Sequence, residues 1–185
     1  MEQVQPIRDK KQLQDMQDYL KENYDYKYYV MFMLGIYSAL RVGDILQLRV
    51  RDVKKNGKIR DEVTVKAEKT DKLHDFPIGA ELKKILKDYC EDKEEYDYLI
   101  PNNRTHKGIG RVQAWKVLNE AANKVGIEHI GTHSMRKTYG YHFYQATKDI
   151  TLLQEILGHS EPSITKRYIG LTRDTKLDAM KKFKY

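Results

Sequence analysis

The sequence predicts an α+β domain that is mostly α-helical and carries a small antiparallel β-sheet. Apolar residues recur at helical spacing through most of the chain, and one short segment, residues 62–66, alternates apolar and polar residues as a strand does. Only 11 Gly and 4 Pro occur in 185 residues, and no linker, repeat or low-complexity tract divides the chain. We therefore expect a single domain over residues 1–185.

The N-terminal part of the chain predicts two helices. Asp9 suits an N-cap, and Leu13, Met16 and Leu20 follow it at helical spacing. Residues 28–40 are nearly all apolar or aromatic, which predicts the buried central helix of the domain.

Strand signals follow the central helix. Asn56-Gly57 is a hairpin-turn signal between basic residues. The alternating segment at residues 62–66 is expected to pair with residues 75–78 through a turn around residues 70–72, which gives the small antiparallel sheet.

The rest of the chain predicts helices in close succession. Apolar residues spaced three or four apart define them, Gly158 marks a helix end, and Glu161-Pro162 marks a helix start. The expected helices cover residues 80–90, 111–125, 133–146, 150–157, 161–168 and 172–182.

Composition restricts the class of protein. Lys and Arg number 34 against 27 Asp and Glu, so the net charge is +7 and the chain favours polyanions. Cys90 is the single cysteine, which excludes an internal disulfide and a cysteine-rich zinc site. No apolar run approaches the roughly 20 residues that span a bilayer, and residues 1–10 lack the apolar core of a signal peptide. We expect a cytoplasmic, soluble protein with no membrane partner.

Four short patches concentrate residues that carry chemistry, and the first two are cationic. Arg41 directly follows the central helix; taken alone, it suits a helix-end charge or an ion pair as well as a phosphate ligand. Asp44 is expected to be an N-cap. The second patch holds Lys66, Lys69 and Lys72 at the predicted hairpin, where a lysine is either solvated or delivers an ammonium group to a phosphate or a leaving oxygen.

The third patch, residues 131–138, combines His133 and Arg136, which share one face of a helix. Thr132 is expected to cap that helix, whose N-terminus attracts anions. A phosphate there accepts a hydrogen bond from His133 and a bidentate pair from Arg136. His129 lies four residues before His133, but no third ligand is evident, so a metal site has little support.

The fourth patch places His159 at the corner between two predicted helices and Tyr168 about two and a half turns along the second. A tyrosine among 14 is normally a packing residue. Tyr168 stands out only because the other three patches supply cations and histidines that a tyrosine nucleophile requires.

Together the patches suit metal-free attack of a tyrosine on a phosphodiester. They supply two arginines, a lysine, two histidines and a tyrosine, without a carboxylate cluster for Mg²⁺. A phenol has a pKa of about 10, so nearby cations must favour the phenolate and stabilise charge on the phosphate oxygens. The alcohol that leaves must be protonated, which suits a lysine on a mobile hairpin.

On these motifs the chain resembles the catalytic domain of the tyrosine recombinases, the phage-integrase family. The motifs are ALRVGDILQL around Arg41, EKT with Lys69, THSMRKT with His133 and Arg136, LGHS with His159, and ITKRY with Tyr168. Their order and spacing are similar to the family's, with 26 residues from His133 to His159 and 9 from there to Tyr168. The resemblance extends from about residue 6 to about residue 180.

The resemblance implies the family's catalytic-domain fold and a site-specific DNA recombinase or integrase. Arg41, His133 and Arg136 would hold the scissile phosphate, and His159 would complete the pocket. Tyr168 would attack phosphorus and leave a 3′-phosphotyrosyl bond and a free 5′-hydroxyl, and a 5′-hydroxyl from a partner strand would reverse the step. Because the phosphotyrosine retains the energy of the phosphodiester, no ATP, metal or other cofactor is expected.

The general acid implied by the resemblance is Lys69, with Lys66 and Lys72 as alternatives. Asp44 stands where the family often has Glu, a change that keeps a carboxylate. Members of the family usually carry an N-terminal core-binding domain, but about 40 residues precede Arg41 here. We therefore expect a naturally short recombinase without that domain, with an excised fragment as the alternative.

Two other functions share these features: a catalytically silent DNA-binding regulator and a type IB topoisomerase-like enzyme that relaxes DNA. A metal nuclease is more remote.

The expected partners are double-stranded DNA and other copies of the chain. We expect a tetramer on DNA and a monomer when the protein is free. Leu177, Met180 and Phe183 at helical spacing in a basic tail either pack on their own domain or dock onto a neighbouring copy.

Overall fold

The computed structural model describes residues 4–68 and 71–182. Its helices are α1 (Lys10–Asn23), α2 (Tyr26–Ser38), α3 (Val42–Ile45), α4 (Val50–Val53), α5 (Ala80–Tyr89), α6 (Arg111–Lys124), α7 (Ser134–Thr147), α8 (Ile150–Leu157), α9 (Pro162–Tyr168) and α10 (Leu171–Lys182). Its strands are β1 (Lys54–Lys55), β2 (Lys58–Ile59), β3 (Glu62–Lys66) and β4 (Leu73–Pro77). Across the described ranges, no helix combines the length and the apolar character needed to cross a bilayer.

Helix α2 forms the centre of the larger core, as its apolar sequence predicts. Residues 30–34 have no solvent exposure, and α1, α5 and α7 pack around the helix. Gly35 allows α7 to approach closely, because a Cβ at this position would lie 2.5 Å from the sulfur of Met135. The close approach matters because α7 carries Arg136 and begins directly after His133.

Predicted helix ends are confirmed at three places. The Asp9 carboxylate accepts a hydrogen bond from the backbone N–H of Gln12 and caps α1. Gly158 ends α8 with a left-handed φ of 62°, and Glu161 with Pro162 begins α9. A glycine adopts this φ without the Cβ clash that other residues meet, so the chain reverses sharply between α8 and α9.

Two predicted caps are wrong. Helix α7 begins after His133, which is its N-cap residue, so Thr132 lies outside the helix and does not cap it. Asp44 is the third residue of α3 rather than its N-cap, a position that Arg41 holds. In both cases the helix starts at a different residue because tertiary contacts decide where a short turn of helix begins.

The small sheet consists of two separate antiparallel hairpins. Strands β3 and β4 pair as predicted, with Val63 opposite Phe76 and both side chains buried. The Asn56-Gly57 turn joins β1 to β2, and both turn residues have positive φ, 51° and 74°. These angles match the tight turns that the twist of paired strands favours.

A second, smaller core lies beneath the end of α2. It contains Ala39, Leu153, Leu157 and Ile169, and Tyr168 packs against it. A Cβ at Gly140 of α7 would lie 2.8 Å from the Ile169 side chain, so this core also holds α7 and α9 close together.

The N-terminal segment Val4–Arg8 runs along one face of α7, which the sequence did not predict. Four polar side chains of α7, spaced by about one helical turn, form hydrogen bonds with the backbone of this segment. The pairs are Ser134 with the Gln5 carbonyl (2.6 Å), Lys137 with the Val4 carbonyl (2.7 Å), Thr138 with the Ile7 N–H (2.9 Å) and His142 with the Ile7 carbonyl (3.0 Å). Helical geometry puts these side chains on a different face from Arg136. The segment therefore braces α7 on a face that does not carry Arg136.

Candidate active site

Arg136 connects the ends of two other helices. Its guanidinium is buried, with 5% of the residue exposed, and it donates one hydrogen bond to the Ala39 carbonyl (2.6 Å) and one to the Leu157 carbonyl (2.7 Å). Ala39 ends α2 and Leu157 is the last residue of α8. Arg41 and His159 each follow two residues later, so this one side chain brings three of the four sequence patches together.

Tyr168 lies against the same guanidinium. The side chain is half-buried, and the positive charges of Arg136 and Arg41 act on its phenol. The His159 ring meets the Tyr168 ring edge-on, with 5.0 Å between the centroids, and the ammonium of Lys137 lies 5.1 Å from the Tyr168 centroid. The Tyr168 side chain thus lies among the cations of Arg136 and Lys137 and the imidazole of His159.

Burial and charge act on the two titratable groups of this cluster. Burial raises the pKa of the Tyr168 phenol, whereas the charges of Arg136 and Arg41 and the Arg136 hydrogen bond work in the opposite direction. Burial lowers the pKa of His159, and the charges of Arg136 and Arg41 lower it further. His159 is therefore a neutral imidazole at neutral pH.

Arg41 stands at the meeting point of two cavities. One, of about 100 Å³, is lined by Arg41 together with Arg136 and Lys72. The other, of about 440 Å³, is lined by Arg41 together with His133 and Arg111. His133 is exposed at the start of α7 and lines the wider cavity. Arg41, with Arg136 in the smaller cavity and His133 in the wider one, forms a cationic surface that the carboxylates of Asp44, Glu68 and Glu155 border.

The three candidate lysines differ in what the structure shows. Lys69 lies outside the described residues. Lys66 is exposed and its ammonium lies 3.1 Å from the Asp71 carboxylate. Lys72 lines the smaller cavity beside Arg41 and Arg136.

The structure gives Asp44 a different role from the predicted cap. Only 4% of Asp44 is exposed, and its Oδ1 accepts a hydrogen bond from the backbone N–H of Glu68 (3.0 Å). The carboxylate therefore attaches the β3–β4 hairpin, which carries the candidate lysines, to the residues that follow Arg41.

We expect Asp44→Ala to release this hairpin. A hydrogen bond to a charged acceptor contributes about 1.5–3 kcal/mol, so local opening at Glu68 should become at least about tenfold more frequent. Amide hydrogen exchange measured by NMR should show faster exchange at Glu68. Asp75→Ala removes an exposed carboxylate of β4 and should leave that exchange rate unchanged; equal rates in both variants would contradict the assignment.

His129, considered with His133 as a metal pair, instead contacts its own neighbour. Its ring nitrogen lies 3.6 Å from the Glu128 carboxylate. Within residues 4–68 and 71–182, no three His, Cys, Asp or Glu side chains are grouped in a way that could hold a metal ion.

Comparison with known proteins identifies the family. Residues 8–174 match the sequence profile of the Phage integrase family. The chain belongs to this family. It is 47% identical over 180 residues to the Probable integrase/recombinase YoeC of Bacillus subtilis (strain 168), and the match covers 97% of each chain. It is 26% identical over 146 residues to the Tyrosine recombinase XerA of Pyrococcus furiosus, a match that covers 77% of this chain and 49% of the relative.

Solved structures of integrase-family proteins share the fold. The crystal structure of XerA recombinase superposes with a TM-score of 0.75 at 20% identity, over 98% of this chain and 66% of that one. A lambda integrase dimer bound to a COC′ core site gives a TM-score of 0.70 at 15% identity, over 91% of this chain and 49% of that one. The predicted fold class is therefore confirmed. The chain spans nearly all of YoeC but about half the length of the XerA relative and of the lambda integrase chain.

Three further residues lie around this integrase-family site, and none of them was among the catalytic candidates from sequence. Lys137 follows Arg136 directly and contacts the Tyr168 ring. In the sequence it looks like any surface lysine, and only its burial in the structure distinguishes it from one. Arg111 reaches the wider cavity and pairs with the Glu68 carboxylate at 2.5 Å. Thr165 lies three residues, about one helical turn, before Tyr168. This spacing is the sequence signal that places both residues on the same face of a helix.

Proposed function

We propose that the protein is a site-specific DNA recombinase that cleaves and rejoins DNA strands through a 3′-phosphotyrosyl intermediate on Tyr168. The observation that carries this proposal is the grouping of Arg136, Arg41 and His159 around Tyr168, whose phenol the two arginine charges act on and whose ring the His159 ring meets edge-on. Membership of the phage integrase family and the match to relatives named integrase or recombinase support it.

In the proposed reaction the scissile phosphate binds on the cationic surface. Arg41 and Arg136 neutralise its non-bridging oxygens, and His133 and His159 donate hydrogen bonds to them. The Tyr168 oxygen forms a bond to phosphorus, and the bond from phosphorus to the 5′ oxygen breaks. The phenol releases one proton and the 5′ oxygen takes one up, so the step neither gains nor loses protons overall. Rejoining is the same step in reverse, with the 5′-hydroxyl of another strand.

We propose Lys69 as the general acid that protonates the 5′ oxygen. Lys69→Met should slow cleavage by about 10²–10⁴-fold, because an alkoxide is a poor leaving group without a proton. A substrate with sulfur in place of the 5′ oxygen should restore the rate, since a thiolate leaves unprotonated. Single-turnover cleavage of both substrates measures this effect. The matched variant Lys72→Met tests the alternative: if it alone shows the loss and the rescue, Lys72 is the acid.

Binding to DNA should be strongly salt-dependent. If about six phosphates contact the cationic surface, log K should fall with log salt at a slope of about −5. Fluorescence anisotropy of a labelled duplex between low and moderate salt measures the slope. Affinity that is independent of salt would mean that phosphate contacts do not dominate binding.

We propose that the protein assembles as a tetramer on DNA and is a monomer when free. Exchange between two duplexes requires four cleavages and hence four active sites. Leu177 and Met180 of α10 are 45% and 72% exposed, which supports docking of this helix onto a neighbouring copy over packing on its own domain. Phe183, the third apolar residue of the predicted tail, lies outside the described residues.

The experiment that tests the function is capture of the covalent adduct. A cognate duplex can be selected from random DNA by its binding to the protein, and a nick near the cleavage point then prevents rejoining. A site-specific covalent adduct supports the recombinase. Tight specific binding without cleavage would favour a silent regulator, and relaxation of any supercoiled plasmid without site preference would favour a topoisomerase-like enzyme.

A further inference from the structure

The imidazole of His159 has a buried hydroxyl as its partner. Nδ1 of His159 lies 2.9 Å from Oγ1 of Thr165. Thr165 has no solvent exposure and lies on α9, three residues before Tyr168. The backbone of His159 is also fixed, because its N–H donates to the Gln154 carbonyl and its carbonyl accepts from the Gln154 side chain, each at 3.1 Å.

The direction of this hydrogen bond decides what the other ring nitrogen can do. A neutral imidazole carries one proton, so one nitrogen donates and the other accepts. Arg136, Arg41 and the Tyr168 phenol are the titratable or charged groups that act on His159, and both arginines disfavour a second proton on the ring. The partner of Nδ1 therefore determines whether Nε2 bears a hydrogen.

Phosphate oxygens accept hydrogen bonds and donate none, so a neutral His159 can bind a phosphate only through a protonated nitrogen. The Thr165 hydroxyl is placed to donate to Nδ1, and a buried hydroxyl proton requires an acceptor. The Glu161 carbonyl, four residues earlier, is an acceptor that a helical threonine can also reach, but it already accepts from the N–H groups of Ile164 (3.2 Å) and Thr165 (3.4 Å).

We propose that Thr165 is a positioning residue whose hydroxyl donates to Nδ1 of His159 and thereby holds the imidazole as the tautomer with hydrogen on Nε2. His159 then presents an N–H donor to the scissile phosphate without being protonated. This inference rests on the proposed function for the identity of the ligand. The tautomer itself is a property of the protein without DNA. In the opposite arrangement Nδ1 donates to Thr165, and the lone pair on Nε2 would repel the phosphate.

NMR measures the tautomer directly on the full chain without DNA. The ring nitrogens of ¹⁵N-histidine-labelled protein report which one carries hydrogen at neutral pH, and His159→Gln identifies the His159 signals. We expect wild type to carry hydrogen on Nε2. Thr165→Val keeps the shape of the side chain but removes the hydroxyl, so the Nδ1 and Nε2 shifts should move towards a mixture of tautomers. Thr165→Ser should keep the wild-type shifts.

A matched control separates this effect from general loss of a buried hydroxyl. Thr138 is also buried, and its hydroxyl accepts from the Ile7 N–H at 2.9 Å on the face of α7 that binds the N-terminal segment. Thr138→Val should leave the His159 shifts unchanged. Hydrogen on Nδ1 in wild type would overturn the proposal, and so would an unchanged tautomer in Thr165→Val.

Cleavage of the selected DNA gives a second readout. Loss of a residue that orients a histidine typically lowers activity about 10–100-fold where the histidine binds a metal, and we expect a similar decrease for Thr165→Val, with rescue by Thr165→Ser. Equal rates for Thr165→Val and wild type would also count against the role. If wild-type protein forms no adduct at all, the proposed function fails, whereas the tautomer measurement still decides whether Thr165 sets the protonation of His159.

Discussion

Tyr168→Phe is expected to abolish the covalent protein–DNA adduct. The substitution removes the one oxygen that is proposed to form the bond to phosphorus, and the buried hydroxyl of Thr165 on the same helix is engaged with His159. Loss of an enzymatic nucleophile lowers the rate by about 10⁶-fold, so no adduct should be detected. Denaturing gel electrophoresis of the nicked cognate duplex after incubation measures the result.

The substitution should leave the fold intact. The phenyl ring still packs on the smaller core and still contacts His159 and Lys137, and the loss is the phenol oxygen on which the charges of Arg136 and Arg41 act. Tyr139→Phe is the matched control, because Tyr139 is another partly buried tyrosine that packs on the same core. This control should form the adduct at the wild-type rate. An adduct formed by Tyr168→Phe would show that another residue is the nucleophile.

Arg136→Lys is expected to weaken both catalysis and stability, although it keeps the positive charge. An ammonium group cannot reproduce the planar fork of donors that reaches the Ala39 and Leu157 carbonyls at once. Cleavage should fall by about 10²–10³-fold, the usual effect of removing one preorganised donor. A buried carbonyl left without a donor costs about 1–3 kcal/mol, so the free energy of unfolding should fall by at least that amount.

Single-turnover cleavage and urea unfolding measure these two effects separately. Arg167→Lys, at an exposed position on α9, is the control and should change neither the rate nor the free energy of unfolding appreciably. A variant at Arg136 that loses activity but keeps full stability would mean that the hydrogen bonds to Ala39 and Leu157 contribute nothing to the fold.

The sequence predicted those features that depend on local chemistry. The start of α1 follows from an N-cap at Asp9 and the end of α8 from the glycine at 158, both of which act within one turn of helix. The candidate residues Arg41, Arg136, His159 and Tyr168 were found because their motifs are contiguous, and the structure brings them together.

Features that depend on contacts between distant segments could not be predicted. The carboxylate of Asp44 binds an N–H 24 residues away, and Lys137 binds a carbonyl 133 residues away. Neither contact produces a periodic pattern in the sequence. A single polar residue at the edge of a helix gives the same sequence pattern whether its side chain faces water or another segment of the chain. Thr165 is intermediate: its position on the same helix as Tyr168 was predictable, but its partner was not.

The Arg136 hydrogen bonds to Ala39 and Leu157 span 97 and 21 residues of sequence. The pocket therefore exists only after α2, α7 and α8 have packed together. A chain in which any one of these helices is out of place has also lost the alignment of Arg41, His159 and Tyr168. Misfolded or partly unfolded copies are thus expected to be unable to cleave DNA. If the proposed reaction holds, this dependence confines strand breakage to molecules that are completely folded and able to reseal what they cut.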